Sequence, residues 1–486
     1  MEIIDSEDTM QGDGCPIPGP NDQAMELAES VTMGELSNTT TPIVAPPADA
    51  QVEIEKTYEE KKAEIERKCC RIDDPFEFVV IKEDEDGNPC KDGIQRFTHL
   101  SIQHYLNNEH FHGLDKDNKW TKQKFAPKWL ADEQIRCYKR LVSDPTNTDK
   151  DVLNLWRGFK AEKIPPVDPS AVAELIQPIR RHIIEVLTDG NEEHGEWLLD
   201  YLASIVQRPA QRTQVGVCFY GTEGSGKGMI FEALRTGMFG DHCTFQSSNA
   251  EQDLFGRFAN MGINCVLAQM DEVQDLYKFW DRLKNVITSD TINIEMKNKQ
   301  PITVKSMLNL IFTTNNENAL KVSPNDRRFV LFRCSSLRVN DYRYNQEFGS
   351  HLKRPHVMRA FYQHLLERDL SAYPYDFQNS RPITSYFKEA QMSSICPIDR
   401  FISSRVNDNK CNDTRAKDLF DDYKTFVTNG GYRVYKTMSS FCTDVKRIHG
   451  VTVRRANTGM VYKFDAVIVK KYLQEKNHFD PDATSL

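Results

Sequence analysis

The chain lacks the cysteine spacing and the long apolar runs that mark several classes of protein. Its 12 cysteines include no pair spaced as C-x-x-C, so a structural zinc site is not expected. No run of about 18 apolar residues is present, which excludes an ordinary membrane-spanning helix. The start, MEIIDSEDTM, has no basic segment followed by an apolar one, so a secretory signal is not expected. These absences predict an intracellular protein that is not secreted and does not act in a membrane.

Basic residues are absent from residues 1–50, which contain ten Asp or Glu. This segment accounts for the net charge of −9, because the rest of the chain sums to about +1. It is also rich in Pro, Gly, Ser and Thr and shows no periodicity, which predicts a disordered acidic leader. The acidic composition of the whole chain therefore does not exclude binding of nucleic acid by the remainder.

The most informative segment is an apolar run that leads into a glycine-rich loop. VGVCFY predicts a strand, GTEGSGKG follows it, and MIFEALRTGMFG then predicts a helix. Strand, glycine-rich loop and helix in this order are typical of a phosphate-binding loop, in which backbone N–H groups and a lysine hold phosphate oxygens. The candidate nucleotide-binding residues are Gly221, Thr222, Glu223, Gly224, Ser225, Gly226, Lys227 and Gly228.

Gly228 departs from the usual pattern of such loops. It stands where a Ser or Thr hydroxyl normally binds Mg²⁺. Magnesium would then be held by other groups, such as water and Asp271. A weakened or inactive nucleotide site is therefore an alternative.

Two further apolar strands end in polar residues at regular spacing. NCVLAQMDE ends in Asp271 and Glu272, and MLNLIFTTNN reaches Asn315. We expect Asp271 to hold Mg²⁺ through water, Glu272 to polarise an attacking water, and Asn315 to position that water. Each of these residues, taken alone, is equally compatible with an ordinary surface residue at the end of a strand.

A pair of arginines precedes a third strand, in SPNDRRFVLF. Arg327 or Arg328 is predicted to bring a guanidinium to the γ-phosphate, either within the chain or from a neighbouring subunit. The sequence does not say which of the two does so. Paired arginines are usually surface residues, and their position after the other motifs favours the functional interpretation.

Taken in order, GTEGSGKG, VLAQMDE, LIFTTNN and NDRRF resemble the motifs of superfamily 3 helicases. The likeness is greatest to the helicase half of phage, plasmid and large-virus primase-helicases. The segments Tyr138–Phe159, Trp197–Pro209 and Phe361–Tyr373 are similar to those that flank the motor of that family. The resemblance covers roughly residues 130–475.

This resemblance implies an α/β fold with a parallel central sheet, of the P-loop AAA+ type, that uses ATP and Mg²⁺. It also implies a homo-oligomeric ring, normally a hexamer, that moves 3′ to 5′ on one DNA strand. The family's lysine, acidic pair and asparagine correspond here to Lys227, Asp271 with Glu272, and Asn315. Its arginine finger corresponds to Arg327 or Arg328.

Basic residues at two places are candidates for contact with DNA. Ile292–Met296 and Ile302–Val304 predict a hairpin whose tip carries Lys297 and Lys299, and in the family such a hairpin grips DNA inside the ring. Near the C-terminus, two predicted helices and a basic hairpin suggest a winged-helix-like module. Its candidate phosphate contacts are Lys446, Arg447, Arg454 and Arg455. A surface hairpin and a basic structural cap are the alternatives.

Lysines alternate with aromatic residues in KDNKWTKQKFAPKWL. This composition suits contact with a single strand, because amines pair with phosphates and rings stack on bases. The alternative is a solvated loop in which Trp120, Phe125 and Trp129 build a local core.

The complete prediction divides the chain into successive regions. These are a disordered acidic leader (1–50), a charged helix (51–71), a small N-terminal α+β domain (72–160), a helical collar (161–209), an ATPase core (210–340), a helical extension (341–397), a winged-helix-like basic domain (398–475) and a tail (476–486).

The sequence thus predicts an ATP-dependent DNA helicase that acts on single-stranded or forked DNA in the replication of a virus or mobile element. Residues 72–160 offer only about 90 ordered residues, too few for a primase domain, so a primase or polymerase would be a separate protein. The alternatives are a DNA-binding or origin scaffold that does not hydrolyse ATP, and another ring ATPase that packages or remodels DNA.

Overall fold

The computed structural model describes residues 55–478, apart from residues 86, 255–262, 274–278, 295–301, 318–321, 323–325, 374–376, 431–436, 458 and 477. The predicted leader (1–50), the tip lysines Lys297 and Lys299, and nearly all of the tail lie outside the described residues. No helix among the described residues is long and apolar enough to cross a membrane.

The N-terminal part of the described chain combines short strands with short helices. Its elements are α1 (Tyr58–Glu66), β1 (Cys69–Ile72), β2 (Glu77–Glu83), β3 (Pro89–Phe97), α2 (His99–Tyr105), β4 (His110–Leu114), β5 (Trp120–Lys124), α3 (Phe125–Leu130), β6 (Cys137–Tyr138), β7 (Arg140–Val142) and β8 (Val152–Asn154). Four strands form a sheet in the order β3-β2-β1-β6, while β4 pairs with β5 and β7 with β8.

Helix α1 is shorter than the helix predicted for residues 51–71. Thr57 caps its start, because the Thr57 hydroxyl accepts from the Glu60 N–H while the Glu60 carboxylate accepts from the Thr57 N–H. The helix ends at Glu66, and the following residues form β1, in which every side chain except Arg71 is buried. Burial and pairing with β2 therefore outweigh the helix-favouring composition of the segment.

Two helices follow this region, as the sequence predicts. The elements are a 3₁₀ turn (Lys160–Lys163), α4 (Pro169–His182), a π-helical turn (Ile183–Leu187) and α5 (Glu192–Gln207). Asp168 caps α4 by accepting from the Ser170 N–H, and Gly190 follows the π-helical turn at a φ of +78°, a conformation that glycine adopts without strain.

A five-stranded parallel sheet comes next in the chain. Its segment contains β9 (Gly216–Tyr220), α6 (Met229–Ala233), a π-helical turn (Leu234–Phe239), a 3₁₀ turn (Asp241–Cys243), β10 (Thr244–Ser247), α7 (Ala250–Asp253), β11 (Leu267–Met270), α8 (Trp280–Thr288), β12 (Thr291–Ile294), β13 (Ile302–Lys305), β14 (Asn309–Thr314) and β15 (Phe329–Arg333). The sheet order is β10-β11-β14-β9-β15, and each neighbouring pair is parallel. Strands β12 and β13 form the separate antiparallel hairpin that the sequence predicts.

The apolar runs of these strands reflect burial on both faces of the sheet. In β9, Val217 and Phe219 belong to the core shared with α4, α5 and α6, whereas Cys218 belongs to the core shared with α8. This alternation follows from the period of two along a strand. The mixed α/β architecture therefore has a helical layer on each side of the sheet.

The chain continues with α9 (Tyr342–Leu352), α10 (Pro355–Glu367) and α11 (Ser385–Ser393). Helix α10 packs on α4 and α5, and α11 packs on β15. The C-terminal elements are α12 (Pro397–Asn407), β16 (Thr414–Arg415), α13 (Ala416–Asn429), α14 (Met438–Lys446), β17 (Val451–Ala456), β18 (Gly459–Phe464) and α15 (Ala466–Glu475). These elements enclose a core of their own around a sheet in the order β16-β18-β17. The two predicted helices are α13 and α14, and the predicted hairpin is formed by β17 and β18.

Candidate functional site

Three neighbouring strands of the parallel sheet bring their carboxyl ends to one edge. Strand β14 pairs with β11 on one side and with β9 on the other, with Phe312 opposite Met270 and Thr314 opposite Tyr220. The residues that follow these strands therefore share that edge. They are the glycine-rich loop after β9, Asp271 with Glu272 after β11, and Asn315 after β14. Ligands of open α/β sheets bind at such strand ends.

The loop between β9 and α6 adopts a turn that needs glycine at two positions. Gly224 and Gly226 have φ values of +74° and +87°, where a side chain would strain the backbone. The Gly221 N–H donates to the Thr314 carbonyl at 3.1 Å, which attaches the start of the loop to β14. The helix that follows begins at Met229, so its first N–H groups face the loop.

The Lys227 amine lies over its own loop. Its Nζ donates to the carbonyl oxygens of Gly221 at 3.2 Å and Thr222 at 3.3 Å. The Ser225 side chain is buried, and its Oγ has no hydrogen-bond partner among the described residues. A buried hydroxyl without a partner costs free energy, so the loop contains a polar group that an oxygen-rich ligand would satisfy.

The acidic pair after β11 is held in a specific arrangement. The Thr313 hydroxyl of β14 donates to Asp271 Oδ1, and the Glu272 N–H donates to the same oxygen at 3.2 Å. Glu272 itself is exposed and has a φ of +50°, an unusual value for a residue other than glycine. Such a conformation costs roughly 1 kcal/mol and is found preferentially at functional sites.

Arg327 and Arg328 lie at the amino-terminal ends of the parallel strands, whereas the loop lies at their carboxyl ends. Phe329, the first residue of β15, pairs with Gly216, and the Gly216 N–H donates to the Arg328 carbonyl at 2.8 Å. The loop begins only after the other end of β9, about 15 Å away at the usual rise per residue. The structure therefore does not bring the arginine pair to Lys227 within one chain.

Arg333, which sequence reasoning missed, does lie at the edge of the loop. It ends β15 opposite Tyr220, and its guanidinium lies over the rings of Tyr220 and Tyr386, 5.4 Å from each centroid. Glu317 at 3.0 Å and Glu389 pair with it. The rule that identified Asp271 and Asn315, a polar residue directly after an apolar strand, would also have identified Arg333.

His182, at the end of α4, is a second residue that the sequence interpretation missed. It is fully buried and its Nε2 lies 3.2 Å from the Gly226 carbonyl, while its Nδ1 lies 2.9 Å from the Tyr344 hydroxyl. A carbonyl only accepts, so Nε2 carries the proton and Tyr344 donates to Nδ1. Burial lowers the pKa of His182 to about 4, which keeps the ring neutral and this tautomer in place.

The contact of His182 sets the orientation of one peptide group of the loop. In a planar trans peptide the C=O and N–H bonds point in opposite directions. Because the Gly226 carbonyl points at the imidazole, the Lys227 N–H points away from it. The sequence signal was a histidine that continues the three-residue spacing of the buried positions Ile176 and Ile179, where the apolar face of the helix predicts another apolar residue.

A cavity of about 800 Å³ begins beside the loop. Its walls include Met229 and Glu232 of the helix after the loop, Asn345 of α9 and Met358 of α10. The Asn345 Oδ1 is buried, makes no hydrogen bond to any described residue, and lies 3.6 Å from the position of a Cβ added at Gly226. The lining mixes apolar side chains with polar and charged ones such as Lys160 and Lys353, and this volume would hold a nucleoside.

The candidate DNA contacts of the C-terminal region do not all share a surface. Lys446 and Arg447 are exposed at the end of α14. Arg454 and Arg455 are consecutive residues of β17, so their side chains leave opposite faces of the hairpin. Arg454 also pairs with Asp413. One phosphate-binding surface therefore includes only one of these two arginines.

Sequence comparisons relate the middle of the chain to known proteins. A family of unknown function, DUF5906, matches residues 219–328. The DNA primase-polymerase of Nitratiruptor phage NrS-1 is 25% identical over 200 residues, which is 40% of this chain. The matched segment spans 27% of that relative's length, about a quarter of the phage protein. The two proteins are distantly related.

Solved structures of the NrS-1 C-terminal region are similar in fold. An apo structure of that region aligns with a TM-score of 0.52 and 16% sequence identity, over 80% of this chain and 93% of that chain. An A-form apo structure gives a TM-score of 0.51 over the same shares. At this identity the likeness concerns the mixed α/β fold alone.

The pKa of His182 predicts a specific dependence of stability on pH. Its pKa is lowered to about 4 in the folded chain, so its contribution to stability is present above about pH 6.5 and is lost as the pH falls toward 4. His182→Gln has no group that titrates there, and its amide can still donate to the Gly226 carbonyl. We expect the free energy of unfolding of the wild type to fall more steeply than that of His182→Gln between pH 7 and 5, in denaturant titrations.

His194→Gln is the comparison variant. Burial lowers the pKa of His194 too, but this ring is only partly buried, against Phe332 of β15, so its replacement should flatten the pH dependence less than His182→Gln does. Parallel curves for wild type and His182→Gln would show that His182 is not held neutral by its surroundings.

Proposed function

We propose that the chain is an ATP-driven motor that moves along single-stranded DNA in the replication of a virus or mobile element, as superfamily 3 helicases do. The observation that carries this proposal is the convergence at one sheet edge of the Lys227 loop, the Asp271–Glu272 pair and Asn315. Nucleotide hydrolysis requires these three kinds of group together: a phosphate cradle, a carboxylate pair and a polar group that orients water.

The order of the strands supports the motor interpretation. Strand β14, with Asn315 at its end, lies between the loop strand β9 and the acidic strand β11. Asn315 therefore emerges next to both the loop and the acidic pair, where one bound nucleotide could contact all three. The distant relation to a phage primase-polymerase supports a role in viral DNA replication, and the likeness to the NrS-1 C-terminal region supports a shared fold.

The residues of the site suggest a division of roles in hydrolysis. The loop N–H groups and Lys227 would bind the phosphates of ATP, exchanging the carbonyl contacts of the amine for phosphate oxygens. The cavity beside Met229 and Asn345 would take the nucleoside. Glu272 would accept a proton from the attacking water, while Asn315 orients that water.

The residues present also fit a magnesium ion. Asp271 offers a carboxylate, and a Cβ added at Gly228 would meet no described atom within 4 Å, so ligand or water has room there. Asp271 would hold the ion through water, and the ion would supply positive charge for the phosphates. The Gly228 backbone, at φ −84° and ψ −21°, has no hydroxyl to offer.

The position of Arg327 and Arg328 supports assembly into a ring. These residues lie a strand length from the loop of their own chain, so either one would act on the nucleotide of a neighbouring subunit. We therefore propose a homo-oligomer, with six subunits as in the resembling family. Lys297, Lys299 and the basic residues of the C-terminal region would contact the DNA phosphates, and a primase or polymerase would act as a separate partner.

A second candidate function is a DNA-binding or origin scaffold that binds nucleotide without hydrolysing it. The observation that favours it is Gly228, which removes the usual metal ligand of the loop. A third, another ring ATPase that packages or remodels DNA, shares the same nucleotide site. Strand displacement on forked DNA separates the third candidate from a helicase, because such an ATPase would turn over ATP without unwinding.

Substitutions in the site should separate binding from hydrolysis. We expect DNA-stimulated ATP turnover in the wild type, a loss of about 10²–10³-fold together with weaker ATP binding in Lys227→Ala, and a loss of about 10²–10⁴-fold with unchanged binding in Glu272→Gln. Steady-state turnover and equilibrium binding of a fluorescent ATP analogue measure the two effects. Glu251→Gln, an exposed change on α7, is the control. Wild-type protein that binds ATP but never hydrolyses it would support the scaffold instead.

Mixing inactive variants tests whether the arginine acts between subunits. Lys227→Ala removes the cradle of one site, while Arg327→Ala or Arg328→Ala removes the guanidinium given to the next. In a randomly assembled 1:1 mixture, about a quarter of the interfaces combine an intact Lys227 with an intact arginine from the neighbouring subunit. Such a mixture should therefore recover about a quarter of wild-type ATP turnover. The single arginine variant that loses activity alone identifies the finger. Mixtures that stay inactive at every ratio would contradict a finger acting between subunits.

Restoring a hydroxyl at Gly228 tests the magnesium site. Because the position is open and helical, Gly228→Ser should fold normally and place a hydroxyl where such loops usually bind magnesium. We expect the Mg²⁺ concentration for half-maximal ATP turnover to fall several-fold. Gly228→Ala has the same backbone without the hydroxyl and should not show this shift. Equal magnesium dependence of the two variants would mean that the ion is not bound near this residue.

A further inference from the structure

The hairpin of β4 and β5 exposes one of its two faces. Leu114 pairs with Trp120, His112 with Lys122 and His110 with Lys124, so these three pairs share a face. The other face contains Phe111, which is buried in the N-terminal core with its ring edge-on to that of Tyr58. The hairpin is therefore fixed to the N-terminal core by one side, and its second side faces solvent.

The structure separates the aromatic residues of the segment KDNKWTKQKFAPKWL into two groups. Phe125 and Trp129 are fully buried in the N-terminal core, which confirms the structural interpretation for these two. Trp120 is 52% exposed and Leu114 across from it is 61% exposed. Trp120 therefore does not help to build the local core as Phe125 and Trp129 do. Its large apolar ring is presented to solvent beside a second apolar side chain.

The ring of Trp120 is held in position. Its Nε1–H donates to the Glu55 carboxylate at 3.0 Å, and the main chain beside Glu55 is attached to the hairpin because the His112 N–H donates to the Lys56 carbonyl at 2.8 Å. The indole is thus anchored at its edge, and a fixed ring loses little conformational entropy when a second ring stacks on it.

The charges around Trp120 sum to a small positive value. Residues 115–124 contain four lysines and two aspartates, and the Glu55 carboxylate at the indole adds a third negative charge. Asp115 accepts from the backbone N–H groups of Asp117 and Lys119, both at 2.9 Å, so that carboxylate serves the turn of the hairpin. Lys122 and Lys124 lie on the exposed face with Trp120, and the Lys124 amine donates to the neutral Asn107 amide at 3.1 Å. Because that amide is neutral, the hydrogen bond does not neutralise the positive charge of Lys124.

We propose that this exposed face, formed by Leu114, Trp120, Lys122 and Lys124, is a binding surface for single-stranded nucleic acid. An unpaired base stacks on Trp120, and the adjoining phosphates pair with the two lysines. A duplex hides the faces of its bases within the stack, so a stacking ring at this place selects an unpaired strand. The surface lies outside the nucleotide site and is separate in sequence from the β12–β13 hairpin and from the basic C-terminal residues.

The test measures binding of a fluorescent oligothymidylate to the full chain without nucleotide or magnesium, so that its result does not depend on ATP hydrolysis. We expect Trp120→Ala to weaken binding about tenfold and Trp120→Phe, which keeps a stacking ring, to weaken it much less. Lys122→Ala with Lys124→Ala should reduce the slope of log affinity against log salt by about 0.7 for each phosphate that no longer pairs with a lysine.

Tryptophan fluorescence locates the contact directly. Trp120 is far more exposed than the buried Trp129 and Trp197, so the oligonucleotide should quench wild-type emission and quench Trp120→Phe much less. Lys139→Ala, an exposed lysine outside the hairpin that is paired with Asp151, is the matched control and should bind as wild type.

Two outcomes would overturn the proposal. Equal affinity of wild type and Trp120→Ala would show that no base stacks there. A weakening that appears only with the lysine variants, and equally for duplex and single strand, would show an unspecific interaction with polyanions.

Discussion

The hydrogen-bonded register that joins β9, β14 and β11 is the constraint on which the candidate site depends. Backbone pairing of Thr314 with Tyr220 and of Phe312 with Met270 determines which residues emerge together at the sheet edge. A slip of one residue in either pairing would turn every side chain of the strand to the other face. The Thr313 hydroxyl on Asp271 adds a side-chain link to the same register. The buried apolar strands thus position polar residues that they do not themselves contain.

The glycine-rich loop is held from two directions. The sheet holds its start through the Gly221 N–H on the Thr314 carbonyl, and the helical layer holds its end through His182 on the Gly226 carbonyl. Tyr344 of α9 in turn donates to His182, so the packing of α4 and α9 affects the orientation of the loop peptides. A rearrangement of these helices would therefore alter the phosphate cradle without touching the residues of the loop.

The sequence was sufficient to predict the elements that repeat a simple pattern. The apolar runs before Gly221, Asp271 and Asn315 are strands, and helices α4 and α5 lie within the predicted helical collar. Contacts between distant segments were not predictable, because periodicity reports burial and not the identity of the neighbour. His182 looked like one polar residue on an apolar helix face, and only the fold places it on Gly226. Likewise, the position of Arg327 and Arg328 follows from the strand pairing of β15, which no local pattern encodes.

The two ends of strand β15 lie beside different candidate functional residues. Its first residue lies at the edge where Arg328 enters, and its last residue, Arg333, lies at the edge of the phosphate loop. Under the proposed function, an isolated copy would hold ATP and cleave it only slowly, because neither Arg327 nor Arg328 reaches across the sheet to its own loop. Free subunits would then consume little ATP in the cell, and rapid turnover would begin only once copies close around a strand.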